Sequence, residues 1–172
     1  MAFRIGLTLL VLLLLACGAP APVVYEKDGF ALAHAASWQV TDDAHVGQMR
    51  QINIEGPNDA VLLLQHMPNE TVLPLTEYAV FYSGLFAESL ADLTVEADGI
   101  NEMERPMRGG PVAGIRETFF ISNETHRVPY FREFLFFEKG DHTLVVILQG
   151  RQMDETHLQP EFTRLVNSVV IP

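Results

Sequence analysis

The chain has a single cysteine in 172 residues, Cys17, so no intramolecular disulfide can staple it and packing must hold it together. Long apolar runs are missing too. Ile5 to Leu15 is 11 residues, interrupted by Gly6 and Thr8, where a membrane-spanning helix needs roughly 20. Positive charge is scarce: 11 Lys and Arg stand against 22 Asp and Glu, for a formal net charge of −11. That balance excludes the basic stripe of a nucleic-acid binder and argues against electrostatic adhesion to anionic lipid. It also serves plain solubility. There is no internal repeat, no charge run and no His-Glu-x-x-His. No Gly-x-Ser-x-Gly elbow occurs, since Tyr82-Ser83-Gly84 falls in a helical pattern, and Gly109-Gly110-Pro111 is a turn rather than a phosphate cradle.

The start of the chain is informative. Arg4 is the only charge before Cys17, Ile5 to Leu15 has the length of a signal-peptide core, and Leu14-Leu15-Ala16-Cys17 closes it. This ending resembles the lipobox of bacterial lipoproteins. The resemblance implies cleavage between Ala16 and Cys17, a diacylglycerol on the Cys17 sulfur and acylation of the new amine. A thiolate is the side chain suited to such an alkylation. Each buried CH₂ contributes about 0.8 kcal/mol, and two or more acyl chains make a stable anchor. The other reading of Cys17 is an incidental cysteine in an uncleaved N-terminal helix. By the same resemblance, Gly18 in place of Asp favours an outer membrane facing the periplasm, with the inner membrane as the alternative. The chain then divides into a signal peptide (1–16), a lipidated Cys17 with an Ala/Pro tether (17–23) and one domain (24–172). Loss of Arg4 leaves the mature chain at −12. The Pro-rich tether is extended and short, on the order of 20 Å for six residues at about 3 Å each.

The body alternates strand and helix signals. Val23 to Lys27 and Phe30 to His34 flank the turn Asp28-Gly29, and Trp38 follows as an expected core plug. Val46 to Glu55 alternates like a half-buried strand, Gly56-Pro57-Asn58-Asp59 turns, and Ala60 to Met67 returns as its partner. Leu75, Tyr78, Ala79, Tyr82, Leu85, Phe86 and Leu90 recur at helical spacing. Val80 and Phe81 fall beside that stripe and are expected to widen its buried face. Leu93 to Met103 reads as a mixed strand and Arg105 to Pro111 as a loop. Val112 to Ile121, Val128 to Glu138 and His142 to Gln149 read as three consecutive strands, the last two joined by Lys139-Gly140-Asp141. The unbroken run Leu144 to Leu148 predicts a strand covered on both faces. Leu158, Phe162, Leu165, Val166 and Val169 give a second helix, with Pro160 expected in its first turn.

One register follows from side-chain chemistry. If Ile121 pairs with Val128, Glu117 falls opposite Arg132, Arg116 opposite Glu133, Ile115 opposite Phe134 and Phe119 opposite Tyr130. Each such pair is worth roughly 0.2–1 kcal/mol, and a one-residue slip would spoil both faces. The functional alternative is an arginine, Arg116 or Arg132, that receives an anionic ligand.

Gly29-Phe30 followed by Trp38, Gly56-Pro57 in the first hairpin, Leu75-Thr76-Glu77-Tyr78 opening the helix, and Phe162 with Leu165-Val166-Asn167-Ser168 at the close resemble the PsbP-like fold, and within it the DcrB-like bacterial lipoproteins. The resemblance spans most of residues 24–171. It implies an α+β fold, an antiparallel sheet flanked by two main helices as an α/β/α sandwich. It also implies a use in protein interaction, as in photosystem II extrinsic subunits and a Ran-binding nuclear import factor. The matching positions are structural, so no functional residue carries over. No catalytic residue, cofactor or metal ligand is expected. The nearest metal-like groups, Asp42-Asp43-x-His45 and Asp154-Glu155-x-His157, read as solvated loops; His34, His66, His126 and His142 stand apart from both. The leading expectation is a lipid-anchored envelope protein, non-enzymatic, that binds or steadies a protein partner. The alternatives are a small-ligand or metal-binding lipoprotein with its site in a sheet–helix crevice lined by Tyr and Arg, or a hydrolase assembled from distant carboxylates and histidines.

Replacing Cys17 with Ser tests the anchor. The native protein should enter the detergent phase on temperature-induced partitioning and carry a diacylglycerol mass on its first residue, and the Cys17→Ser product should do neither.

Overall fold

The structure, a computed structural model, describes residues 21–90 and 92–172. The leader and Cys17 lie outside the described residues. A hairpin comes first: β1 (Val23–Lys27) and β2 (Phe30–His34), turned at Asp28 and Gly29, whose φ values are 48° and 81°. Val23, expected as the last tether residue, is already paired, with His34. Seven further strands form one antiparallel sheet: β3 (Gln39–Val46), β4 (Met49–Glu55), β5 (Val61–Pro68), β6 (Thr94–Met107), β7 (Gly110–Ser122), β8 (Arg127–Lys139) and β9 (His142–Arg151). Their spatial order is β3-β4-β5-β9-β8-β7-β6. Helix α1 (Leu75–Ser89) links β5 to β6, and α2 (Glu155–Ser168) follows β9.

Strand alternation sorts the core into two layers. On one face Leu62, Leu64, Val146, Leu148, Phe131 and Leu135 pack against Leu158, Phe162 and Leu165 of α2 and Phe30 and Leu32 of β2. On the other, Leu63, Met67, Val145, Ile147, Phe134 and Ile115 meet Tyr78 and Ala79 of α1. The helices therefore lie on opposite faces of an antiparallel sheet, and the architecture is the expected α+β sandwich. Strand β9 runs through the middle, with Leu144 to Leu148 buried throughout, as its continuous apolar sequence requires. Trp38 is 3% exposed and meets Phe162 edge-on at 5.6 Å between centroids. The backbone of Gly56 lies flat on the indole: a Cβ there would fall 2.7 Å from the ring.

Four expectations need correction. Val46 ends β3 rather than opening β4, and Gly47-Gln48 turns between them; the acidic Gln39–Val46 stretch is a strand of low intrinsic propensity held by pairing. Arg105 to Pro111 is mostly paired strand, with Pro106 opposite Pro111 at the end of the β6–β7 hairpin, where edge strand β6 tolerates a proline. Pro160 lies inside α2, which already begins at Glu155 behind a 3₁₀ turn, Gln152–Asp154. Val80 and Phe81 are exposed, at 56% and 54%, because α1 covers only part of its face of the sheet.

Substituting Gly56 by Ala should destabilise the fold by about 1–3 kcal/mol through overpacking against Trp38. Gly84→Ala, in mid-helix with open space around it, should stabilise it by about 0.5–1 kcal/mol. Urea unfolding followed by Trp38 fluorescence reads both.

Candidate functional site

The charged residues that the pattern placed between β7 and β8 meet as expected: Glu117 opposite Arg132 and Arg116 opposite Glu133. On the α1 face Arg132 is 1% exposed. Its Nε and Nη2 donate to Gln149 Oε1 at 2.9 and 2.6 Å, and its Nη1 to Glu117 Oε2 at 3.0 Å and Ser83 Oγ at 3.1 Å. Ser83 in turn donates to Glu117 Oε2 at 2.6 Å. The rings of Phe86, Phe119 and Tyr82 stand 4.1, 4.6 and 5.1 Å from the guanidinium carbon. Burial pulls the Arg132 pKa down while Glu117 opposes that shift. With four of its five N–H donors committed and aromatic rings around it, this buried arginine is a structural ion.

The α2 face carries a second cluster. Glu133, 1% exposed, accepts from Arg105, from Arg116 Nη1 at 2.9 Å and from Gln159 Nε2 at 2.9 Å. Arg116 Nη2 reaches Glu155 Oε2 at 2.7 Å, and Arg105 also grips Gln159 and Thr163. These bonds tie α2 to the sheet. The Arg105 Nε is buried and without a partner among the described residues.

Among several open clefts, one with a largely apolar lining is a crevice of about 400 Å³ between α1 and the β3–β4–β5 half of the sheet. Its helix wall is Tyr78, Phe81, Tyr82 and Leu85, and its floor includes Met49, Gln51, Gln65 and Met67. Helix α1 sits above β8 and β7, where Tyr78 meets Phe136 and Tyr82 meets Phe134, so its other flank overhangs the uncovered strands. Leu85, Phe81 and Val46 stay 50%, 54% and 61% exposed. A polar row crosses the floor: the Tyr78 hydroxyl donates to Gln65 Oε1, and Gln65 Nε2 donates to Gln51 Oε1 at 2.8 Å. Burial holds the Tyr78 pKa well above its ordinary value, so the hydroxyl remains a donor. The arrangement suits apolar side chains, with two amides for orientation. The sequence reading offered a sheet–helix crevice lined by Tyr and Arg; the crevice has Tyr78 and Tyr82 in its wall but no arginine, and neither its Met and Gln floor nor the exposure of Phe81 was expected. The available signal was the helix itself, which carries apolar residues beside its main stripe as well as on it.

No protein-family model matches the chain, and no curated protein matches it. Solved structures do. Cyanobacterial PsbP (CyanoP) from Synechocystis sp. PCC 6803 superposes with a TM-score of 0.52, covering 91% of this chain and 96% of that one at 11% identity. The fold is PsbP-like. At that identity the likeness reaches the fold and stops there. A protein of unknown function from Pseudomonas aeruginosa (14% identity, 89% and 98% covered, TM-score 0.40) and LpqN, involved in cell envelope biogenesis of Mycobacterium tuberculosis (13%, 88% and 90%, 0.45), superpose more loosely and bear on nothing further.

Elsewhere in this PsbP-like sandwich the metal-like groups are scattered. Asp43 is in strand β3, not a loop, and its carboxylate takes Arg50 Nε and Nη2, each at 2.9 Å, besides Tyr25 and Lys27. The Arg50 bonds hold its pKa well below the usual carboxylate range. Asp42 is on the other face of the strand, and Asp42, His45 and, in α2 rather than a loop, His157 are exposed. His66 stacks on His142 at 4.8 Å, His34 is buried against the Ala35 carbonyl, and His126 is exposed. Among the described residues no three His, Cys, Asp or Glu converge as metal ligands, and no helix is long and apolar enough to cross a membrane.

Glu117→Leu should cost about 3–5 kcal/mol because it leaves Arg132 as an uncompensated buried charge, and adding Arg132→Leu should recover much of that loss. A double-mutant cycle by urea unfolding measures it; a double variant whose cost equals the sum of the Glu117→Leu and Arg132→Leu costs would show that the pair is not coupled.

Proposed function

We propose that this chain is a non-enzymatic, lipid-anchored module of a bacterial envelope that holds a protein partner against its α1 face. The observation that carries the proposal is the crevice itself: four exposed apolar side chains, Val46, Leu73, Phe81 and Leu85, gather around one 400 Å³ hollow. Exposed apolar surface of this kind marks a contact site. The converging charged groups support a non-enzymatic role, since Arg132, Glu117, Arg105, Glu133 and Arg116 spend themselves on one another. The lipobox-like Leu14-Leu15-Ala16-Cys17 supports the anchor, and Gly18 the outer membrane. The short tether would keep the domain, and its partner, within tens of ångströms of the bilayer.

A small apolar ligand is the second reading. A hollow of 400 Å³ with two amides and a tyrosine hydroxyl at its base falls within the range of ligand pockets.

A photo-reactive benzoylphenylalanine at position 81 of the full chain, in its own cells, separates the two. The proposal expects one reproducible protein adduct, lost when Leu85 is changed to Gln and absent when the probe replaces Arg164 on α2. No adduct at position 81, or equal adducts at both positions, would overturn it.

A further inference from the structure

We infer that the segment taken by the crevice is a basic amphipathic helix of a partner protein, with apolar side chains entering the hollow and Lys or Arg on its flanks. This rests on the reading of the α1 face as a docking surface and adds the chemistry of what docks.

The argument is the separation of charge between the two faces. Glu102 and Glu104 line the cleft on the far side of α1, Glu138 the cleft at its N-terminal end, and Glu55 the one at its C-terminal end. Glu77 and Glu88 stand on α1 itself, on the side facing away from the sheet. None of these six carboxylates is in an ion pair among the described residues, and all are exposed. The cations lie elsewhere. Arg105 and Arg116 serve Glu133, Arg50 and Lys27 serve Asp43, Arg127 lies over Phe120, Lys139 binds the carbonyls of Ile171 and Pro172, Arg164 is on α2, and Arg108 is in the β6–β7 turn, whose backbone N–H donates to Asn167 of α2. From the α1 face of the sheet project only Arg132, sealed against Glu117, and Arg151, paired with Asp59.

The apolar hollow therefore has unneutralised carboxylates on α1 beside it and beyond both helix ends, with Glu102 and Glu104 adding to the charge of the same face, and no cation among its lining residues. Complementarity selects a basic segment, and like charge rejects anionic lipid and acidic peptides. A second copy of this chain would bring the same carboxylates to the contact. Phe81 and Leu85 are one helical turn apart, the spacing at which a facing helix presents its own i, i+4 anchors.

The test uses designed peptides of about 14 residues, each with a central benzophenone: a Leu/Lys amphipathic helix, its Leu/Glu counterpart, and a Leu/Lys peptide scrambled to lack an apolar face. Each is irradiated with the full chain in nanodiscs of neutral phosphatidylcholine, and the adducts are mapped by mass spectrometry. The inference expects Leu/Lys adducts at residues 46–51 and 65–85, at least about five-fold above those of Leu/Glu, and weakened by about 0.5 M salt. Glu77→Lys with Glu88→Lys should reduce the preference at least about two-fold, and Phe81→Gln with Leu85→Gln should abolish the crevice adducts of both peptides. Equal Leu/Lys and Leu/Glu adducts in the crevice would overturn the charge rule and leave the docking surface standing. Adducts unaffected by the Phe81 and Leu85 changes, equal adducts from the scrambled peptide, or crevice adducts between two copies of the chain would overturn the inference. No crevice adduct from any peptide would overturn the docking surface with it.

Discussion

A guanidinium almost without water, Arg132, faces Glu117 across the ladder between β7 and β8, and the adjacent rung places Arg116 opposite Glu133 on the other side of the sheet. Ions in a low-dielectric interior are costly, and the cost is recovered only when every partner is in place. Shifting β8 by one residue would put Arg132 opposite the wrong neighbour and turn both charged pairs into the wrong layers. The two pairs therefore do less for net stability than for uniqueness. They fix how the strands align, and with them where both helices dock: Ser83 of α1 binds Glu117, and Gln159 of α2 binds Glu133.

The two layers built on that alignment are finished differently. Over one face α2, the β1–β2 hairpin and Trp38 close the core, and the charged bonds of Arg105, Arg116 and Arg50 sew the cover down. Over the other face a single helix lies off-centre. It seals β8 and β7 with a row of aromatic contacts and leaves β4 and β5 with a floor of Met and Gln. Most of the cations lie with the closed layer, and six exposed, unpaired carboxylates stand on or around the open one. The asymmetry of packing and the asymmetry of charge coincide, and together they give this sandwich a working side.

What the sequence discloses here is whatever local chemistry decides. The β7–β8 alignment was legible because charge and ring patterns agree on both faces at once. Strand β9 was legible because five apolar residues in a row leave no solvent face. Trp38 was legible as a core residue, though not that Gly56 serves as its seat, since that contact joins a strand end to a turn. The β3 strand was hidden by Asp42 and Asp43, whose low propensity is overridden by Arg50 from the neighbouring strand. Pro106 and Pro111 suggested a loop because the sequence does not show that they lie opposite each other at a sheet edge. Phe81 and Val80 were misplaced for a related reason: periodicity locates the buried stripe of a helix but not how much sheet lies beneath it. A sheet–helix crevice lined by tyrosine could be named from the sequence, but its place over β4 and β5 and its Met and Gln floor follow from that offset and show only when the layers are assembled.

The strand order has a consequence for how the chain comes together in time. Strands β3–β4–β5 and β6–β7–β8 are each local meanders, but β9, which joins them, is the last strand to be synthesised. Until it arrives, the inner borders of both meanders, Leu62-Leu63-Leu64 and Phe131 to Phe137, stand unpaired with sticky backbone edges. Closing the gap links β5 to a strand some eighty residues downstream, a slow, non-local step during which self-association competes. The nascent polypeptide is thus most vulnerable just before its final third is complete, and a holding chaperone would find its most useful target there.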